Sequence, residues 1–499
     1  MKIASATPQA DASLISDKAS KITRTKPNDG VKLFVGMPLD TVSKSNTINH
    51  ARAISAGLKA LKLLGVDGVE LPVWWGIAEN EIMGKYEWTA YLAVVEMVQK
   101  LGLKLHVSLC FHASQECKIP LPEWVSRNGE VDPNIYFMDR LGQQYKDCLS
   151  LAVDDVPVLD GKTRSTCTKS FARTSNLHFH LFGFHYHGKL HLFVYCRAYP
   201  LVLDQMVSFD THLTTVESKA IIMELENSSV TTKICSAISS SMLKNTEILY
   251  GDLVVPMMPR PTTIVQSRWF FHGKRRILGD PIRRFFLSWY SNQLISHGDR
   301  ILSLAASAFK DASITVSAKV PLMHSWYKTR SHPSELTAGF YNTAKRDGYD
   351  DIAKIFSQYS CKMILPGMDL SDEFEQVESR SSPESLLAQI TSSCRTHGVE
   401  MSGQNSLVSG VSKGLKRIRK NLMDENAVAD LFMYQRMGAY FFSPEHFSLF
   451  AQFVRGLNQP IQSLDDLTVE KGDDIESILV RVSICKLLRV RLLLMYTCK

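Results

Sequence analysis

An α/β fold, the (β/α)8 TIM barrel with the region of its fourth strand disrupted, is what this sequence predicts. Three observations lead there. Short β-prone runs alternate with helical periodicity, glycines stop the segments at close intervals, and polar residues follow the runs. Residues 31–37 read as a buried strand bounded by Pro38. Over 47–64 the apolar residues Ile54, Leu58 and Leu61 recur at helical spacing, and Gly65 ends the helix. A second strand starts at 68–71, a helix over 88–101 stops at Gly102, and a third strand covers 103–111. The pattern returns with a helix over 286–308 and strands at 314–320, 362–365, 398–403 and 431–434. That makes seven strand candidates, one short of a closed barrel, and the missing one falls in the middle of the chain.

The middle, 164–284, does not continue this grammar and is expected to be irregular. It holds Ser/Thr-rich runs, basic clusters at Lys274-Arg275-Arg276 and Arg283-Arg284, and histidines 178, 180, 185, 187 and 191. Those histidines lack a nearby carboxylate or cysteine pair at coherent spacing, so no metal site is expected. The one β-prone run able to substitute for the fourth strand is 190–195. The remaining boundaries are a disordered leader at 1–30, barrel segments at 31–163 and 285–455, and a tail at 456–499. An interruption of this kind is what translation of a retained intron or a shifted frame produces.

Composition sets limits on function. At 499 residues, 45% hydrophobic and 21% charged, the chain has ample material for a large core. A formal charge of +7 falls short of the concentrated basic face of a nucleic-acid binder, and no nucleic-acid partner is expected. The ten cysteines form no Cys-x-x-Cys pair and read as reduced thiols. The polar Ser/Thr/Lys-rich start resembles a plastid transit peptide more than a secretory signal, although Asp11 and Asp17 are atypical for one. Arg481, Lys486, Arg489 and Arg491 interrupt the most apolar run, so no transmembrane segment is expected.

The flanking segments carry an ordered series of motifs. They include Gly65-Val66-Asp67-Gly68-Val69, Val73-Trp74-Trp75-Gly76, Phe111-His112 and Ile119-Pro120-Leu121-Pro122-Glu123-Trp124. Later come Phe286-Leu287-Ser288-Trp289-Tyr290-Ser291, His297-Gly298-Asp299, Glu335-Leu336-Thr337-Ala338-Gly339 and Arg346-Asp347-Gly348-Tyr349. Together these resemble the β-amylase family, glycoside hydrolase family 14, and within it the catalytically inactive plastid subgroup of plants. The resemblance implies a partner in α-1,4-glucan (starch) or in another protein of starch metabolism, a plastid or otherwise cytoplasmic location, and no cofactor.

Family chemistry releases maltose from non-reducing chain ends with inversion. It needs a carboxylic acid to protonate the leaving oxygen and a carboxylate to activate water. The base motif aligns with Gly403-Gln404-Asn405-Ser406-Leu407, which places Gln404 where the base belongs. No Gly-Pro-Ala-Gly-Glu-Leu-like acid motif occurs between Arg164 and Arg284. An amide has no oxygen basic enough to take a proton at neutral pH. Pro72 stands where the family has a glucose-binding Asp, Pro366 replaces an inner-loop Thr, and only 113–118 remain of a long glycine-rich lid. By the same resemblance His112, Lys319, His324, Trp326, Asn405 and Arg436 line or support the glucan groove. The sequence therefore points to a pseudoenzyme that binds glucan or protein. The alternative is an active β-amylase in which another carboxylate replaces Gln404.

Overall fold

In the computed structural model, the described residues are 30–138, 144–181, 190–195, 281–310, 314–320, 344–375, 380–406, 412–423 and 429–457, with single positions at 322, 324, 327, 328, 342 and 377. For 176–181, 190–195 and 281–290 only the backbone is described. The expectations for the 1–30 leader, most of the histidine run and the tail beyond 457 lie outside these residues.

Eight parallel strands close into a barrel. They are β1 (Lys32–Gly36), β2 (Gly68–Trp74), β3 (Lys104–Cys110), β6 (Leu190–Tyr195), β7 (Ile314–Lys319), β8 (Lys362–Leu365), β9 (Met401–Gln404) and β10 (Ala429–Tyr434). A hairpin of β4 (Tyr136–Met138) and β5 (Gln144–Leu149) stands apart from the barrel sheet. The described helices are α1 (Ala51–Leu64), the short α2 (Trp75–Ala78), α3 (Thr89–Lys100), α4 (Glu123–Val131), α5 (Arg164–Leu181), α6 (Pro281–Ala308), α7 (Tyr349–Gln358), α8 (Pro383–Thr396), α9 (Ser412–Met423) and α10 (Pro444–Leu457).

Closure depends on β6. Its backbone pairs with β3 from His106↔His191 to Cys110↔Tyr195, and with β7 from Leu190↔Ile314 to Phe193↔Ser317. The β-prone run in the middle thus fills the fourth-strand position, and the barrel is complete where seven strands were counted. The strand removes the open edges that β3 and β7 would otherwise present.

The expectation of an irregular 164–284 also changes at its start, because residues 164–181 form α5. Cys167, Phe171, Ala172 and Ser175 are buried at helical spacing, and Thr163 Oγ1 accepts the amide of Thr166. Phe171 enters an aromatic cluster with Trp88, Phe111 and Tyr86, at centroid distances of 5.5, 5.4 and 6.0 Å. The preceding loop is locked by Asp154, which accepts from Arg164 (3.2 Å) on α5, and from Arg300 (2.9 Å) and His297 on α6.

The two faces of each strand are distinct. Val69, Leu71 and Val73 of β2 join Leu58 and Leu61 of α1 in the main core between sheet and helices. Phe34, Leu431 and Met433 form a separate small cluster and plug the barrel interior. By the two-residue alternation of a strand, Gly68, Glu70, Pro72 and Trp74 share the other, interior face of β2. Gly68 is required there: a Cβ would lie 2.5 Å from the Phe34 ring. Gly65 ends α1 at φ 93°, a left-handed conformation that glycine adopts without strain.

Candidate functional site

Parallel strands bring all their C-terminal ends to one mouth, so the residues that follow them converge whatever their distance in sequence. Gln404 is the last residue of β9, in register with Met433 of β10, and its carbonyl accepts the Met368 amide at 3.0 Å. Its side chain is 4% exposed. Nε2 lies 3.7 Å from the Met433 thioether, and Oε1 has no hydrogen-bond partner. A thioether is a weak acceptor, so both ends of this amide remain open to a better partner.

The residue beside it is fully engaged. Asn405 donates to the carbonyls of Ser406 (2.8 Å) and Gln435 (2.9 Å) and accepts the Gln435 amide (2.7 Å). It splices the loop after β9 to the loop after β10, which is a supporting role and not direct presentation to a ligand. Ser406 donates through its amide (2.6 Å) and hydroxyl (2.5 Å) to Asp369, a carboxyl whose pKa burial raises despite these bonds.

The other expected residues are placed as follows. His112, buried just beyond β3, meets Trp74 edge-on with centroids 5.2 Å apart. Lys319 ends β7 opposite Ile364 and is half-buried. His324 is buried, with Nδ1 2.7 Å from Ser381 Oγ and 3.5 Å from Glu375. Burial is the largest single influence on the Glu375 pKa and raises it, but the contacts of His324 and Ser381 together outweigh it and the net shift is downward. Arg436 donates to the Met37 carbonyl at 2.9 Å and to Gln435 Oε1, which anchors the β10 loop to β1. Trp326 lies outside the described residues.

Sequence reasoning missed Glu70. This carboxylate is buried in β2 and accepts from Ser108 Oγ of β3 and from Gln435 Nε2. Through Gln435 it connects to Arg436 on one side and to Asn405 on the other. The available signal was strand alternation, since an acidic residue in an otherwise apolar strand must face a polar interior or pair there. Two residues along the same face stands Pro72, with no side-chain polar group.

The 113–118 segment, where the resemblance implies a lid, is a pinned turn. Ser114 and Ile119 exchange backbone hydrogen bonds of 2.7 and 2.9 Å, and Ser114 Oγ accepts the Cys117 amide at 3.2 Å. A turn this short, tied at both ends, has little chain with which to cover a bound ligand. The residues that follow β6, where the resemblance implies the acid, lie outside the described set. In sequence, the first carboxylate after Tyr195 is Asp204.

Comparison with known proteins bears on the family and the fold. The family model for glycosyl hydrolase family 14 matches residues 34–183 and 280–460, taking in all of α5 and α6. Inactive beta-amylase 9 of Arabidopsis thaliana is 47% identical over 471 residues, covering 93% of this chain and 85% of that protein. Beta-amylase 1, chloroplastic, of Oryza sativa subsp. japonica is 32% identical, covering 86% of this chain and 81% of its own. Among solved structures, the catalytic domain of beta-amylase from Paenibacillus polymyxa superimposes with a TM-score of 0.61 at 20% identity. That match covers 87% of this chain and 99% of the bacterial one.

Proposed function

Since the chain belongs to glycosyl hydrolase family 14, we propose that it is a β-amylase-like protein that no longer hydrolyses starch and uses its barrel mouth to hold α-1,4-glucan. The observation that carries this reading is Gln404. An amide buried at the end of β9, with its acceptor unpartnered, can bind a hydroxyl but cannot deprotonate water. General base catalysis contributes typically 10²–10⁴-fold to rate. The acid is lacking too, since no acid motif follows β6 in sequence. Relatives named chloroplastic support a plastid location, where starch would be at hand.

The residues proposed to meet the glucan are Gln404, His112, Lys319, His324 and Trp326, with Asn405 and Arg436 holding the loops that carry them. Calorimetric titration with maltohexaose tests the reading. We expect saturable binding, and roughly fivefold to tenfold weaker binding in Gln404→Ala, the value of about one hydrogen bond. Absence of glucan binding by a folded chain would refute the glucan reading and leave protein binding as its successor.

A further inference from the structure

Helix α9 begins just beyond the Gln404 loop and reads Ser-Lys-Gly-Leu-Lys-Arg-Ile-Arg-Lys-Asn-Leu-Met, with five cations and no acid. Its inner face is conventional: Leu415, Ile418 and Leu422 are buried. Two of the cations are committed within the molecule. Arg417 pairs with Glu384 at 2.7 Å, and Arg419 lies against Gly456 of α10. The other three, Lys413, Lys416 and Lys420, are exposed and recur at i, i+3 and i+7 on one face. None of them takes part in an ion pair among the described residues.

At its N-terminal end this stripe meets an apolar surface. The loop after β8 exposes Phe374 (55%) and Val377 (87%), and the Lys413 ammonium sits 5.0 Å from the Phe374 ring centroid. The loop is tied together at its two ends. Ser371 Oγ donates to Glu384 (2.7 Å), Ser382 Oγ donates to Asp372 (2.6 Å), and the Glu384 amide donates to Asp372 (3.1 Å). Because Glu384 also pairs with Arg417, one carboxylate couples the start of the loop to the helix, which keeps Phe374 beside the lysine stripe.

We propose that this surface docks an acidic amphipathic helix of a partner protein. Charge and spacing specify the occupant. Lys413 to Lys420 spans about 10 Å, two helical turns, which matches carboxylates repeated at i, i+3 and i+7 on a facing helix. An apolar residue on the following turn would cover Phe374 and Val377, both of which water now reaches. The committed arginines leave lysines facing outward, which act as point charges without the planar fork that reads phosphates bidentately. An exposed valine and phenylalanine beside them favour a polypeptide over a nucleic acid.

Surface plasmon resonance on the immobilised full chain tests this. The probe is an 18-residue helical peptide with Glu at i, i+3 and i+7 and a Leu-Trp turn. The controls are a scrambled peptide of the same composition and an 18-mer of oligo-dT. Saturable peptide binding is expected, weakened roughly tenfold or more by the charge reversal Lys413→Glu/Lys416→Glu/Lys420→Glu. A roughly fivefold loss is expected in Phe374→Ala/Val377→Ala, from truncating the apolar anchor. Both variants alter exposed side chains, and a retained melting temperature establishes that they fold. The proposal is overturned if the designed peptide fails to bind the native chain, or binds it no better than the scrambled one. It is equally overturned if oligo-dT competes at equal charge, or if both variants bind as the native chain does.

Discussion

Glutamine and glutamate have nearly the same shape, and under the proposed reading the difference at position 404 is whether water can lose a proton to the protein. Restoring the carboxylate by Gln404→Glu supplies only one of two required groups. We therefore expect that variant to release no maltose from soluble starch above background, measured by reducing-sugar assay. Activity there would mean that a carboxylate outside the acid motif serves as the acid. Asn405 makes a different prediction. Asn405→Ala strips partners from the Gln435 amide and from the Gln435 and Ser406 carbonyls. A loss on the order of 1–3 kcal/mol of stability is expected, readable by urea denaturation. His106 faces the barrel interior near Phe34, and burial pulls its pKa down from 6.5 to about 3. The unfolded chain takes up that proton first, so this histidine makes stability fall as pH drops from about 6.5 toward 3. His106→Gln should flatten that slope in melting curves recorded across the same range.

Among the elements, α5 and β6 separate what was legible in the sequence from what was not. The aliphatic and aromatic run at 190–195 marked β6 as β-prone, but nothing local said that it would pair with β3 and β7. That pairing is set by closure of the whole sheet. Helix α5 was read as irregular because Ser, Thr and His dominate its composition, while its buried stripe of Cys167, Phe171, Ala172 and Ser175 is mostly small. Phe171→Ala should cost about 3–5 kcal/mol, since the ring fills space between Trp88 and Phe111. The flanking strands were legible because their apolar runs and glycine stops are local signals. Gln404 was legible because its neighbours matched a family pattern. Glu70 was not, because a single acid in a strand looks like a break until the strand is seen to line a polar barrel interior. Asp369 and Glu375 were missed for a similar reason: each gains its environment from Ser406 or His324, partners distant in sequence.

For the whole molecule, the barrel is closed, and the proposed reading places the loss of chemistry at its mouth. On that reading Gln404, Pro72 and the pinned 113–118 turn change the site and leave the packing of the sheet intact, because they lie at strand ends or on the interior face. The eight-stranded closure makes a further demand on the middle of the chain. A proline at Val194 would remove a backbone donor from a central strand in register with Leu109. Val194→Pro should shift the chain into the insoluble fraction on expression, by exposing the edges of β3 and β7.

The most direct measurement is maltose release from soluble starch by the purified full chain, followed over pH 5–8 at increasing protein concentration. The absence of a base at 404 and of an acid motif after β6 predicts no release beyond a heat-denatured control. Maltose that rises with protein concentration, and that disappears in Gln404→Ala, would contradict the account and make this chain a working hydrolase.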